Sequence, residues 1–154
     1  MSMKEKSVLC LGAAGFHRMA YTEWGAPDAA RTLVCVHGLT RNGRDFDTIA
    51  AALEDDYRVI CPDIVGRGRS DWLRDGTQYQ NPTYLADLVT LLARAGANEV
   101  DWLGTSMGGI LGMLMASMPG SPIKRLIIND VGPFLPKPAL ERIASYTGTA
   151  PDFD

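Results

Sequence analysis

From Thr32 onward, short apolar runs alternate with amphipathic stretches, and this alternation narrows the possible folds more than any other feature of the sequence. Thr32–His37 (TLVCVH) and Tyr57–Pro62 (YRVICP) are β-branched and apolar runs, as expected for buried strands, and Glu99–Leu103 and the apolar Lys124–Asn129 read as two further strands. Between them lie helical patterns. Asp45 reads as an N-cap, followed by Phe46, Ile49, Ala50 and Leu53 at helical spacing. Asn81 reads as the next cap, with Pro82 opening a helix whose Leu85, Leu88, Val89 and Leu92 form one stripe and whose end is marked by Gly96. A third helix is expected over Ser106–Met118, stopped by Pro119-Gly120, and a short fourth over Pro138–Tyr146. Val8–Leu11 and His17–Glu23 flank a glycine-rich turn and read as a hairpin at one sheet edge. The predicted class is α/β, with a mostly parallel, doubly wound sheet and helices on both faces.

Chemistry is concentrated at Gly104-Thr105-Ser106-Met107-Gly108, a G-x-S-x-G between a buried strand and a helix. A serine at so sharp a turn is forced into strained backbone angles that lift its hydroxyl out of the sheet. Strand and helix nearly collide two residues either side, so Gly104 and Gly108 are needed for space. The helix beginning at Met107 aims free N–H groups at the position of a developing oxyanion. The Thr32 strand ends in His37-Gly38-Leu39, a loop expected beside the nucleophile at the carboxyl end of the sheet. The backbone N–H groups of Leu39 and Met107 are the expected oxyanion donors. His37 reads as an organiser of that loop rather than as the general base, and His17, in the hairpin, reads as a surface residue. Gly66-x-Gly68 lacks the third glycine of a dinucleotide fingerprint, since Asp71 stands there, so Asp63-x-x-Gly66-x-Gly68-x-Ser70 reads as a tight loop on the rim of the site.

Other features exclude rather than assign. The chain of 154 residues has a net charge of −3 with scattered basic residues, which gives no nucleic-acid footprint. Arg67 and Arg69 read as a solvated loop. Cys10, Cys35 and Cys61 are the 3 cysteines, with no C-x-x-C and 2 histidines to join them, so buried thiols are expected rather than a zinc site. The apolar start is too short for a signal peptide, and Met107–Met118 is too short to span a bilayer, so a cytoplasmic protein is expected. No residue pattern points to a metal or organic cofactor. Trp72, Tyr79 and Trp102 read as packing residues, and Phe134 and Leu135 either pack or line a pocket.

His37-Gly38-Leu39, Asp63-x-x-Gly66-x-Gly68-x-Ser70 and the Gly104–Gly108 elbow, in this order, resemble the α/β-hydrolase fold superfamily, as do Tyr21-x-x-x-Gly25 and Asn129-Asp130-Val131-Gly132-Pro133. The resemblance covers Val8 to about Pro133 and is nearest to small bacterial esterase-like and carbon–carbon-bond hydrolases. It implies attack by Ser106 on an ester, thioester or related carbonyl of a small molecule, a histidine that takes the proton, and an acid that orients the histidine. Family members place that acid and histidine after the nucleophile, yet no histidine follows Ser106 here; Asp130 is the candidate acid. The resemblance therefore implies that residues 1–133 are the front of the core domain and 134–154 the start of a cap, in a chain missing its last strands. The histidine would come from beyond this chain, either in a longer product or in a separate C-terminal half. The competing reading is a non-catalytic ligand-binding module, or an inactive fragment, of the same fold.

Overall fold

The computed structural model describes residues 3–146; the expected cap residues 147–154 lie outside the described residues. Six strands form one sheet in the order β1-β2-β4-β3-β5-β6. β1 (Lys4–Gly12) and β2 (Gly15–Trp24) make the expected hairpin at one edge, and β2 runs antiparallel to β4 (Arg58–Pro62). β3 (Thr32–Val36) lies parallel to β4 on one side and to β5 (Val100–Thr105) on the other, while β6 (Ile123–Asn129) pairs parallel with β5 and forms the second edge.

Side chains of the central strands alternate between two cores, which is why their sequences read as unbroken apolar runs. Leu33 and Cys35 of β3 join Val59 and Cys61 of β4 under Phe46 and Ala50 on one face. On the other face Val34 and Val36 meet Trp102, Leu88, Leu92 and Leu111. The first face is covered by a 3-10 turn (Gly43–Phe46) and α1 (Asp47–Leu53), the second by α2 (Asn81–Ala95) and α3 (Met107–Ala116). α4 (Lys137–Tyr146) follows the last strand.

Four local expectations need correction. Asn42, not Asp45, caps the first helical turn, its side chain accepting from Arg44 N–H. Gln80 occupies the N-cap of α2, so Asn81 already lies inside the helix with Pro82 in its first turn. The buried face of α2 is carried by Tyr84, Asp87, Leu88, Leu91 and Leu92, and Val89 is exposed. The stripe is rotated because α2 also covers the hairpin, where Leu91 packs with Val8, Met19 and Ile60. His17 is buried rather than on the surface; its Nε2 lies 2.7 Å from Asp87 Oδ2 of α2.

Hairpin and central sheet are also joined by charge. Glu23, 1% exposed, sits between Lys6 at 2.6 Å and Arg58 at 2.6 Å. Burial alone would raise its pKa, but hydrogen bonds from Lys6 and Arg58 outweigh burial and leave it below its usual 4.5.

Candidate active site

The strand order dictates where a site can form. From β3 the chain steps outward to β4, and it later returns on β3's other side to lay down β5 and then β6. The carboxyl ends of β3 and β5 are thus a point where the winding direction reverses, leaving a crevice between their following loops. Val36 is level with Gly104 in the β3–β5 register. Gly38 and Ser106 therefore meet: a Cβ added at Gly38 would stand 3.6 Å from Ser106 Cβ.

Ser106 joins β5 to α3 with φ 51° and ψ −113°, a region that L-residues occupy only when the surroundings hold them there. Those surroundings are specific. A Cβ at Gly104 would collide with the Gly108 carbonyl, and one at Gly108 with the backbone of Val36. The Trp102 indole N–H donates to the Gly108 carbonyl at 3.0 Å, clamping the first turn of α3 onto β5. Ser106 N–H donates to Asn129 O at 2.9 Å, and Ser106 O accepts from Gly109 and Ile110 N–H. The N–H groups of Met107 and Leu39 have no backbone acceptor among the described residues.

His37 fixes the Gly38–Leu39 peptide. The imidazole is fully buried; its Nε2 accepts from Ile64 N–H at 2.9 Å, so Nδ1 carries the proton and donates to Gly38 O at 2.7 Å. In a trans peptide, C=O and N–H point in opposite directions. Fixing the Gly38 carbonyl on His37 turns the Leu39 N–H the other way. Burial lowers the His37 pKa below its usual 6.5, which keeps the ring in the neutral form this arrangement needs.

The rim motif is wired to the same loop. Asp63 carboxylate oxygens accept from Gly43 N–H at 2.8 Å and Arg69 N–H at 2.9 Å. Ser70 hydroxyl donates to Asp63 O and accepts from Ala20 N–H at 2.8 Å. Gly66 and Gly68 adopt φ of 80° and 53°, and a Cβ at Gly68 would meet the Asp63 carboxylate. The turn so held presents Ile64 N–H to His37.

Over Ser106 opens a groove of about 410 Å³ whose walls include Leu39, Tyr84, Met107, Asp130, Leu140 and Ile143. Asp130, exposed and with φ 58°, follows β6 on the groove's far side. Both histidines of the sequence are engaged elsewhere, His37 with the loop and His17 with Asp87.

Several participants escaped the sequence reading. Arg67, taken as a solvated loop residue, is half-buried and lies 5.2 Å from the Tyr84 ring and 5.8 Å from that of Tyr79. Tyr79 packs on the core and against Trp72, and the two also line a neighbouring hollow. No motif marks Tyr79, in the loop ahead of α2, or Tyr84, within α2; their approach to the rim is a tertiary fact. Away from the crevice, Cys10, His17 and Asp87 bring three metal-type donor atoms within 4.8 Å of one another. Burial, with Asp87 beside it, pushes the Cys10 thiol up to about 12, so the group holds a proton there and acts as an internal lock between hairpin and α2.

Comparison with known proteins agrees with this geometry. The chain is 59% identical over 141 residues to a 3-hydroxybutyrate-oligomer hydrolase from Cupriavidus necator, covering 92% of this chain and 48% of that protein. It is 32% identical over 114 residues to a serine hydrolase-like protein from Danio rerio, covering 73% of this chain and 34% of that one. Among solved structures, an α/β hydrolase from Novosphingobium aromaticivorans superposes with a TM-score of 0.85 at 38% identity, over 95% of this chain and 50% of its own. The chain thus spans half or less of the length of these relatives, and they carry the remainder in the same polypeptide. No helix among the described residues is long and apolar enough to cross a membrane. With the α/β hydrolase fold family model matching residues 31–151, this chain belongs to the α/β-hydrolase fold family.

Proposed function

We propose that this chain carries the nucleophile of a serine hydrolase acting on a small ester, thioester or related carbonyl compound. Ser106 Oγ attacks the carbonyl carbon and loses its proton to a base. The oxyanion so formed accepts hydrogen bonds from Leu39 and Met107 N–H, and as it collapses the carbon–oxygen or carbon–sulfur bond breaks and the base returns its proton to the leaving alcohol or thiol. Water then attacks the acyl-serine by the same route in reverse. The observation that carries this reading is the backbone of Ser106, at φ 51° and ψ −113°, in a crevice with two amides that have no backbone acceptor among the described residues. A pure binding module has no use for that strain.

Since both histidines here are engaged, the base belongs to residues outside this segment, and the orienting acid comes either from there or from Asp130. Residues 134–146 act as the start of a cap: Leu140 and Ile143 of α4 roof the groove over Ser106. The 59%-identical relative supports short hydroxy-acid oligoesters as substrates.

The test is hydrolysis of 3-hydroxybutyrate oligomers and short p-nitrophenyl esters by the gene product with whatever follows residue 154 present. Ser106→Ala is expected to lower kcat on the order of 10⁶-fold with the fold unchanged. A variant as active as the parent would refute the assignment.

A further inference from the structure

Beside the Ser106 groove lies a second hollow of about 510 Å³, and the two share Leu39, Thr40, Arg41 and Tyr79 as a common wall. Its other walls include the exposed Trp72 and the half-buried Arg67. The neighbouring arginines are neutralised: Arg41 by Asp45 at 2.7 Å, Arg44 by Asp47 at 2.5 Å, and Arg69 by Glu5. Arg67 differs, with no carboxylate within ion-pairing distance among the described residues. Its Nε donates to Leu39 O at 2.9 Å, and Nη1 donates to Val65 O at 2.9 Å and to the Tyr84 hydroxyl at 3.1 Å. Nη2 has no acceptor among the described residues. Having accepted from Arg67, the Tyr84 hydroxyl keeps its own proton to donate, and Tyr84 also lines the Ser106 groove.

A guanidinium with no carboxylate partner, fixed by three hydrogen bonds and flanked by aromatic rings, is preorganised to receive an anion on its free edge. Its fork, with one edge free, suits a carboxylate. We propose that Arg67 and the Tyr84 hydroxyl form a subsite for the free carboxylate at one end of a short hydroxy-acid ester, so that the enzyme selects oligoesters with an anionic terminus over neutral ones. This rests on Ser106 being the nucleophile of the adjoining groove. The chemistry fits, because a hydroxy acid esterified through its hydroxyl carries its carboxylate only a few bonds from the scissile carbonyl. Leu39 gives Arg67 its carbonyl and also lines the Ser106 groove, so a substrate reaching from one site to the other passes a single residue. Trp72 and Tyr79 supply an apolar wall for the methyl-bearing chain between.

The experiment compares a 3-hydroxybutyrate dimer with a free carboxylate against the same dimer capped as its primary amide, again with whatever follows residue 154 present. The parent protein is expected to prefer the acid about tenfold in kcat/KM, mostly through KM, as a charged hydrogen-bonded pair would give. Arg67→Gln, which keeps a donor for the Leu39 carbonyl, should bring that ratio near one, and Arg67→Lys should retain part of it. The same preference should appear in equilibrium binding to Ser106→Ala, where no bond is cleaved. Equal use of acid and amide by the parent overturns the subsite. So does an Arg67→Gln variant that loses rate on both alike, which would make Arg67 only a strut for the oxyanion loop. Selective binding of the acid that depends on Arg67, without any cleavage that depends on Ser106, sinks the nucleophile and leaves the subsite standing.

Discussion

Ser106 holds a backbone conformation that costs roughly 1–3 kcal/mol and persists because its neighbours leave no other path. Gly104, Gly108 and the Trp102 indole supply that constraint, while His37 supplies the second one, on the Gly38–Leu39 peptide. If the imidazole works by aiming an amide, His37→Leu should lower kcat by roughly 10²–10³-fold, as for loss of one oxyanion donor, with KM nearly unchanged. Steady-state kinetics beside a circular-dichroism melt would check it; a proportional rise in KM with kcat preserved would contradict it. At this scale the elbow was legible because a strand-to-helix turn admits few residue types, and the sequence carries them at the required spacing. His37 was legible as a loop organiser because a histidine ending a buried strand has partners at hand. Arg67 was not, since nothing local tells an arginine whether Tyr79 of the following loop and Tyr84 of α2 will flank it.

Elements pack here through faces that sequence periodicity finds and partners that it does not. The apolar spacing of α2 was plain, yet its stripe is rotated toward Leu91 because the hairpin also lies beneath it. That same neighbour buries His17 against Asp87. The hairpin's second tie, Glu23 between Lys6 and Arg58, makes a prediction about acid. Glu23 titrates below its usual 4.5 in the folded state. Its stabilising contribution is therefore complete above the unfolded value and is lost as pH falls from there through the folded value. Glu23→Gln should cost about 3 kcal/mol near neutral pH, by leaving Arg58 buried without its partner, and should flatten the decline of stability between about pH 5 and 3. Urea titrations of both proteins across that range give the measurement; parallel curves would contradict the role of Glu23.

For the molecule as a whole, the order β1-β2-β4-β3-β5-β6 is what brings separately encoded motifs together. The alternation of apolar strands with amphipathic helices made the parallel, doubly wound class legible. The convergence of the His37 loop, the rim loop at Asp63–Ser70 and the elbow follows from the winding reversal beside β3, which only the assembled sheet displays. The central claim is that this convergence activates one hydroxyl. Reaction of the gene product, with whatever follows residue 154 present, with a fluorophosphonate probe and mass analysis of the peptides tests it most directly. The account predicts a single phosphonylated residue, Ser106, and no adduct in Ser106→Ala; equal labelling of both proteins, or an adduct on another serine, would contradict it.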